Sequence, residues 1–356
     1  MTTINRSRLR KAIALILPLI FIFIFAQQFL FNDRNYDTER LEQFYREEKD
    51  SLDVIFVGAS EVSHGYNPGY AYDQYGFTSY CYSLDANQGS LYLSQLKEIL
   101  KHQNPGILFV DLSGFLGEEV DFFNSIIMHN YLRGIPFSKN KIQTILEYPN
   151  EETVCFFFPL IMYHGHVEIA YEQLLGTYDQ LTRETHPADL KGILSMPWVD
   201  TEDGYEGIAF DPLTYKLADS TEACLIELLE YCKQNNLHNI VFTNFPRKFA
   251  VENNNMMFLC RQAESIIQQY GYPVLNLQDD IDLVGIDAAR DFADMYHLNI
   301  HGQLKITDYF GNKVINEYGL SPRAQSNANR LAWEVCASNT QEYINTTLET
   351  ITAKYG

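Results

Sequence analysis

The sequence predicts an α/β protein whose five-stranded parallel sheet is covered by helices on both faces, in a three-layer arrangement. Short apolar runs rich in β-branched and aromatic residues end at turn residues, as buried strands do. Longer segments with apolar residues at helical spacing lie between them, and this alternation is typical of βαβ units. The chain has 356 residues, of which 46% are hydrophobic, so it can bury a large core.

The N-terminal part of the chain differs from the rest. Residues 12–31 carry no charge and are about as long as a helix that crosses a bilayer. Basic residues in the predicted cytoplasmic tail at 1–11 precede this segment, so the N-terminus is expected in the cytoplasm and the remaining chain outside it. We therefore expect an uncleaved transmembrane signal anchor in the cell membrane, with a cleaved signal peptide as the alternative. Residues 32–51 are predicted to form a charged juxtamembrane helix.

One α/β domain is predicted over residues 52–320. Its strands are predicted at 52–58, 77–84, 106–113, 239–246 and 272–277. Its helices are predicted at 90–103, 220–236, 256–271 and around 304–314. The interval of about 115–215 breaks the alternation and is rich in aromatic residues, which indicates a helical insertion. Residues 321–356 are predicted to be a helical C-terminal tail.

Charge and cysteine content narrow the function classes. Aspartate and glutamate number 46 against 26 lysines and arginines, for a formal net charge of −20. A phosphate backbone would be repelled, so nucleic acid is not an expected partner. The six cysteines are scattered and form no CxxC pair. We expect them to be buried hydrophobic side chains, although an exported domain would allow disulfides.

Chemistry is expected at the carboxyl ends of the strands, where parallel sheets bind ligands. Ser60 follows the first strand on a glycine turn at a predicted helix start, which exposes its hydroxyl near backbone N–H groups. Asp294 and His297 lie three positions apart after the last strand, so the carboxylate can hold imidazole Nδ1 and leave Nε2 for the serine. These residues predict a Ser–His–Asp triad. The alternative is that Asp294 caps the next helix and His297 lies on the surface.

Residues near the predicted triad have structural and functional interpretations. Asp291 is expected to be a solvated loop acid, and Asn299 to be a helix cap that could also tether the loop. His301, four positions after His297, would belong to an alternative zinc site with Asp291 and the triad acid. His64 is expected to pack rather than act as a base. No metal and no cofactor are predicted.

Three basic or titratable residues are candidates for substrate binding. His164 and His166 lie in the aromatic insertion, where they either pack structurally, line the substrate cleft or join the zinc alternative. Arg247 follows the fourth strand at the ligand edge of the sheet, where it could hold an anionic sugar or phosphate; the alternative is an ordinary surface cation.

The serine block Gly58-Ala59-Ser60 and the Asp294-x-x-His297 block together resemble the SGNH (GDSL-like) hydrolase superfamily. The stretches VGASEVSHGYNP, YSLDANQGSLYL, LFVDLSG, FFFPLIMYHGH and DMYHLNIHG resemble a membrane-anchored bacterial branch over most of residues 52–320. That branch is similar to proteins that O-acetylate exported polysaccharides or D-alanylate teichoic acids. The resemblance implies a flavodoxin-like sheet, a membrane-bound O-acyltransferase as acyl donor, and an envelope glycan or teichoic acid as acceptor.

The sequence departs from the superfamily where the oxyanion hole is expected. Asp85 lies near the glycine of the second block, and Ser113 lies where the third block offers an asparagine. Oxyanion donors are therefore expected from the Ser60 N–H, a backbone N–H around Asp85, and Asn87, Gln88 or Ser113. Three functions remain open: acyl transfer through Ser60 to an envelope polysaccharide, ester hydrolysis by the same triad, and an inactive subunit of an envelope-polymer assembly.

Overall fold

The computed structural model describes residues 6–25, 35–116, 125–158, 161, 190–202, 210–249 and 254–355. The chain divides into two compact units. One comprises Met1–Asn35 and Ile142–Pro187, and the other comprises Tyr36–Lys141 and Ala188–Gly356. The second unit contains the sheet and every candidate site residue that the structure describes.

Five parallel strands form one sheet in the order β2-β1-β3-β4-β5. Their bounds are Val54–Gly58 (β1), Ser79–Ser83 (β2), Ile107–Asp111 (β3), Ile240–Asn244 (β4) and Val274–Asn276 (β5). Each strand lies within a predicted stretch that extends past it by only one or two residues. The predicted α/β class with a five-stranded parallel sheet is confirmed, and the strand order is that of a flavodoxin-like sheet.

The helices connect and cover these strands. In the described residues they are Arg6–Phe25 (α1), Tyr36–Phe44 (α2), Ser60–Gly65 (α3), Pro68–Tyr75 (α4), Gly89–His102 (α5), Ser125–Gly134 (α6), Lys139–Glu147 (α7), Thr153–Phe157 (α8), Asp219–Gln234 (α9), Asn255–Gln269 (α10), Ile281–Val284 (α11), Ile300–Asn312 (α12) and Asn327–Tyr355 (α13). The predicted helices correspond to α5, α9, α10 and α12, and the predicted tail is α13.

Both faces of the sheet are buried. On one face, Val54 and Phe56 of β1 belong to a core cluster with Phe310 of α12. Side chains alternate along a strand, so Ile55 and Val57 point to the opposite face, where α5 packs on β1 and α9 packs on α5. Burial on both faces explains why the strands are almost continuously apolar. It leaves the strand ends as the part of the sheet open to chemistry.

The predicted juxtamembrane segment is part of the sheet-bearing unit. Helix α2 packs beside the edge strand β2, and the Phe44 ring lies 5.3 Å from that of Tyr80 and 4.8 Å from that of Tyr82. The charged side chains of Asp37 and Arg40 are buried. The helix occupies residues 36–44 of the predicted 32–51 stretch, and Asp37 and Arg40 contact the protein rather than solvent because α2 covers the sheet edge.

Two sequence predictions extend beyond the described residues. The predicted anchor at 12–31 is described only to residue 25, and within the described ranges no helix is both long and apolar enough to cross a membrane. The insertion at about 115–215 is helical where α6, α7 and α8 are described, whereas His164 and His166 lie outside the described residues. None of the six cysteines, all of which lie in the described residues, forms a disulfide, and the four buried ones are Cys81, Cys232, Cys260 and Cys336.

Candidate active site

Ser60 is the first residue of α3 and comes two positions after β1 ends. Gly58 permits this sharp turn because a Cβ there would lie 2.5 Å from Val62 Cγ2 and 2.6 Å from Asp111 Cβ. Ala59 is extended, with φ −91 and ψ −163, so the chain passes from strand to helix within one residue. The turn therefore presents the Ser60 hydroxyl at the carboxyl end of the sheet, beside the first N–H groups of a helix.

Ser60, His297 and Asp294 form a continuous hydrogen-bonded chain. Ser60 Oγ lies 2.7 Å from His297 Nε2, across 237 positions of sequence. His297 Nδ1 lies 2.8 Å from Asp294 Oδ2 and 3.0 Å from Oδ1. When Nδ1 donates to the carboxylate, Nε2 is left as an acceptor for the serine proton. The structure thus brings together the three residues that the sequence indicates as a triad.

The loop that carries the acid and the base is held by its own hydrogen bonds. Asp294 Oδ1 accepts from the N–H groups of Tyr296 at 2.8 Å and His297 at 2.9 Å. Asn299 caps α12 by accepting from its first N–H groups, and its amide donates to the Phe292 carbonyl at 3.2 Å. Asn299 therefore fulfils both of the roles considered for it, as a helix cap and as a tether of the loop.

The two ionisable triad residues have pKa values shifted in opposite directions. Burial alone would raise the pKa of Asp294, but hydrogen bonds from His297 and from backbone N–H groups hold it below its ordinary value. Burial alone would lower the pKa of His297, but Asp294, with smaller contributions from Glu61 and Asp85, raises it above its ordinary value. The site therefore favours an imidazolium beside an ionised carboxylate, the charge state that forms when the serine loses its proton.

His64 packs against the catalytic imidazole. Its ring centroid lies 4.7 Å from that of His297 in an edge-on arrangement, and its side chain is buried. Burial, together with the neighbouring His297, lowers the pKa of His64 to about 4. His64 is therefore neutral near pH 7, and its contact with His297 is one of packing, as the sequence indicates.

Arg247 lies beneath the strand ends rather than in an open cleft. Its side chain is 1% exposed. The guanidinium donates to Glu61 Oε1 at 2.8 Å, to Ser113 Oγ at 2.9 Å and to Asn244 Oδ1 at 2.9 Å. Glu61 follows β1, Ser113 follows β3 and Asn244 is the last residue of β4. Arg247 therefore connects the ends of three strands. The prediction that Arg247 binds an anionic sugar or phosphate is not supported, because both terminal nitrogens are buried and already paired.

Asp111, at the end of β3, is a site residue that sequence reasoning missed. It is fully buried, and its Oδ2 accepts from the Ser113 N–H at 3.1 Å. Within the described residues its Oδ1 has no hydrogen-bond partner. Burial and the nearby Glu61 carboxylate raise the pKa of Asp111 to about 7. The available signal was an acidic residue at the carboxyl end of an otherwise apolar strand.

The turn after β2 contains three of the predicted oxyanion candidates, and most of its hydrogen-bond donors already bond to other protein groups. The Asp85 N–H donates to Asp37 Oδ1 at 2.9 Å. The Asn87 amide donates to the Gly58 carbonyl at 2.9 Å and to a side chain of α5. The Gln88 N–H donates to Asn87 Oδ1 at 3.0 Å. These groups shape the turn next to the serine block and are not free to bind an oxyanion.

Ala86 is the exception in this turn. Its φ is +51, a left-handed conformation that costs an alanine about 1–2 kcal/mol. In the part of the chain that the structure describes, its N–H has no acceptor. Ala86 is exposed, and the side-chain amide of the next residue, Asn87, donates to the carbonyl of Gly58, so the Ala86 N–H is a candidate donor to an oxyanion formed at Ser60. Alanine has no preference for this conformation, so nothing in the sequence singles it out.

The alternative zinc site is not supported by the geometry. Asp291 is buried rather than solvated, because its Oδ2 accepts from Lys305 Nζ at 2.6 Å and from the Asp287 N–H at 2.7 Å. Both nitrogens of His297 are bonded within the triad, which leaves none for a metal. Among the described residues, no group of three or more His, Cys, Asp or Glu is arranged to hold a metal ion.

Comparisons with known proteins identify no relative of this chain. No family model, no curated protein and no solved structure matches it. The SGNH resemblance therefore rests on the motif residues alone, and a functional assignment must be drawn from the geometry of the site.

Proposed function

We propose that the protein is a serine-dependent acyltransferase that passes an acyl group, through an ester on Ser60, to a hydroxyl of a cell-envelope polysaccharide. The observation that carries the proposal is the hydrogen-bonded chain from Asp294 through His297 to Ser60. A serine hydroxyl needs a base to remove its proton and a carboxylate to orient that base, and this chain provides both.

The geometry supports a two-step reaction. His297 Nε2 removes the proton of Ser60 Oγ as that oxygen attacks the acyl carbonyl of the donor. The carbonyl oxygen becomes an oxyanion, stabilised by the N–H groups of Ser60 and Ala86. The intermediate collapses to the acyl-serine, and the leaving group takes the proton from the imidazolium. An acceptor hydroxyl then gives its proton to His297 and attacks the ester, after which Ser60 regains its proton.

The proposed donor, acceptor and location rest on the resemblance and on the apolar segment at 12–31. A membrane-bound O-acyltransferase would supply the acyl group, and an envelope glycan or teichoic acid would accept it. A single membrane-spanning anchor would hold the domain at the outer face of the bilayer, near both. The proposed chemistry uses no cofactor.

Hydrolysis of envelope-glycan esters is the second candidate function. The triad stays accessible to water, because the Asp294 side chain is 42% exposed and that of His297 is 18% exposed. Water would then replace the sugar hydroxyl in the second step. An inactive subunit is the third candidate, and the internal pairing of the Asp85, Asn87 and Gln88 donors favours it.

Turnover of p-nitrophenyl acetate tests the enzymatic proposal. The Ser60→Ala variant should lose about 10⁴-fold or more in kcat, whereas Ser265→Ala, which alters an exposed serine on α10, should match the wild type. A fluorophosphonate adduct on Ser60, mapped by mass spectrometry, is expected as well. Equal rates in both variants together with no adduct would favour the inactive subunit. Comparing acetyl transfer to an oligosaccharide with acetate release separates transferase from esterase.

A further inference from the structure

A buried charged group on α2 contacts the turn that contains Ala86. Asp37 and Arg40 are 5% and 3% exposed. Arg40 Nη2 lies 2.5 Å from Asp37 Oδ1 and 2.7 Å from Asp85 Oδ1. Asp37 Oδ1 also accepts from the Asp85 N–H at 2.9 Å. The two side chains of α2 therefore hold Asp85 by both its backbone and its carboxylate.

Helix α2 is itself fixed against the sheet, so it can hold the turn in place. The Tyr80 hydroxyl donates to the Arg40 carbonyl at 2.7 Å, and the Phe44 ring packs on β2. On its other side, Leu41 packs so closely on Gly134 of α6 that a Cβ on this glycine would lie 2.5 Å from the Leu41 Cβ. Movement of α2 relative to β2 and α6 would disrupt these contacts.

The held turn lies beside the triad. Its Asn87 amide donates to the carbonyl of Gly58, two residues before Ser60. The Asp85 carboxylate interacts electrostatically with the imidazoles of His64 and His297. A left-handed alanine persists only where its surroundings enforce it, and this turn contains one at φ +51. Asp37 and Arg40 supply contacts that can enforce it.

We infer that Asp37 and Arg40 are positioning residues that hold the Asp85–Ala86 turn and thereby direct the Ala86 N–H toward the oxyanion. This inference rests on the proposed function, because it assigns the oxyanion donor of that reaction. It also gives α2 a function beyond that of a connector between the predicted anchor and the sheet. The proposed donor is a backbone group, and the side chains that orient it lie 46 to 49 positions earlier in the chain.

The Asp37→Ala variant of the full chain tests the inference, with Glu39→Gln on the same helix as the matched control. Glu39 is only partly buried and has no hydrogen bond to the turn in the described residues. Loss of one oxyanion donor lowers the rate by about 10²–10³-fold, so kcat for p-nitrophenyl acetate should fall by about 10²-fold in Asp37→Ala. The KM should stay at its wild-type value, and the pH midpoint of the rising limb should stay above 6.5, because Asp294, which contributes most to the raised pKa of His297, is unchanged.

A second pair of variants separates positioning from general stability. Glycine adopts the left-handed conformation without a steric penalty, so Ala86→Gly should make the turn less dependent on Asp37. The loss in kcat caused by Asp37→Ala should therefore be about tenfold smaller in the Ala86→Gly background than in the wild-type background. A helix that only stabilised the fold would give the same loss in both. The thermal midpoints of the wild type, Asp37→Ala, Ala86→Gly and the double variant provide the stability comparison.

The outcomes distinguish this inference from the proposed function. Wild-type turnover that depends on Ser60, with equal kcat in Asp37→Ala and Glu39→Gln, would overturn the inference and leave the proposed function standing. An equal loss in both Ala86 backgrounds would also overturn it. A wild-type protein without Ser60-dependent turnover would overturn both. If Asp37→Ala does not fold, Asp37→Asn replaces it. The amide oxygen still accepts from the Asp85 N–H but the ion pair with Arg40 is lost, so kcat should fall by a smaller factor than the one expected for Asp37→Ala, and again by less in the Ala86→Gly background; a kcat equal to that of Glu39→Gln would overturn the inference.

Discussion

Replacing Asp294 by asparagine should nearly abolish turnover while leaving the fold intact. Asp294 Oδ1 accepts from the N–H groups of Tyr296 and His297 at 2.8 and 2.9 Å, so the amide oxygen of Asp294→Asn should occupy that position. The amide NH₂ then takes the place of Oδ2, which lies 2.8 Å from His297 Nδ1. There it donates to Nδ1, which shifts the imidazole proton to Nε2 and removes the acceptor for the Ser60 proton.

The expected size of this loss follows from the wrong tautomer. A change of this type lowers kcat by about 10⁴-fold, which corresponds to about 5 kcal/mol of transition-state stabilisation at about 1.36 kcal/mol per factor of ten. The measurement is kcat for p-nitrophenyl acetate, with the thermal midpoint as the check on folding. Asp282→Asn makes the same chemical change at an exposed position of α11 and should leave both values unchanged. A kcat for Asp294→Asn within tenfold of wild type would refute the assigned role of the carboxylate.

Two further predictions concern the base and the serine turn. Asp294 raises the pKa of His297 above its ordinary value of 6.5, so the neutral base forms only at higher pH. The rising limb of the kcat–pH profile should therefore have its midpoint above pH 6.5, and a midpoint below it would contradict the ion pair. The Gly58→Ala variant should lose about 1–3 kcal/mol in free energy of unfolding and should also lose activity, because its Cβ would lie 2.5 Å from Val62. Chemical denaturation measures the free energy of unfolding, and turnover measures the activity. Wild-type values for Gly58→Ala would contradict the close contact between residue 58 and Val62.

The sheet could be predicted because its strands carry a strong local signal. Each strand is a short apolar run with turn residues at its ends, because a parallel sheet covered on both faces buries the side chains of its strands. Phe56 and Phe109, for example, lie on adjacent strands with their ring centroids 4.7 Å apart. Parallel strands also place their carboxyl ends at one edge, which is why Ser60 and the Asp294–His297 loop could be assigned to one site. The strand order came from the resemblance, since composition and spacing do not determine it.

Burial of charged residues could not be predicted from the sequence. Arg247 follows a strand, and its sequence context indicates an exposed cation. In the structure it is buried against Glu61, which is 186 positions away in sequence. Asp291 reads as a loop acid, but Lys305 on α12 lies 2.6 Å from it. In both cases the partner that makes burial tolerable is distant in sequence or lies on another element. Pairing of this kind is a property of the tertiary structure.

The turn at Asp85 and Ala86, which we propose donates to the oxyanion, also depends on contacts that the sequence does not show. The pairing of Asp37 with the Asp85 N–H spans 48 positions, and the left-handed Ala86 has no sequence signal. The departures from the SGNH blocks therefore look like lost donors when the blocks are compared alone. In the described residues, the same turn contains the N–H of Ala86, which has no acceptor, and α2 contacts the neighbouring Asp85. If Asp37 and Arg40 position the oxyanion donor as we propose, a chain that began at β1 would keep every triad residue and still lose activity, because it would lack the side chains that hold this turn.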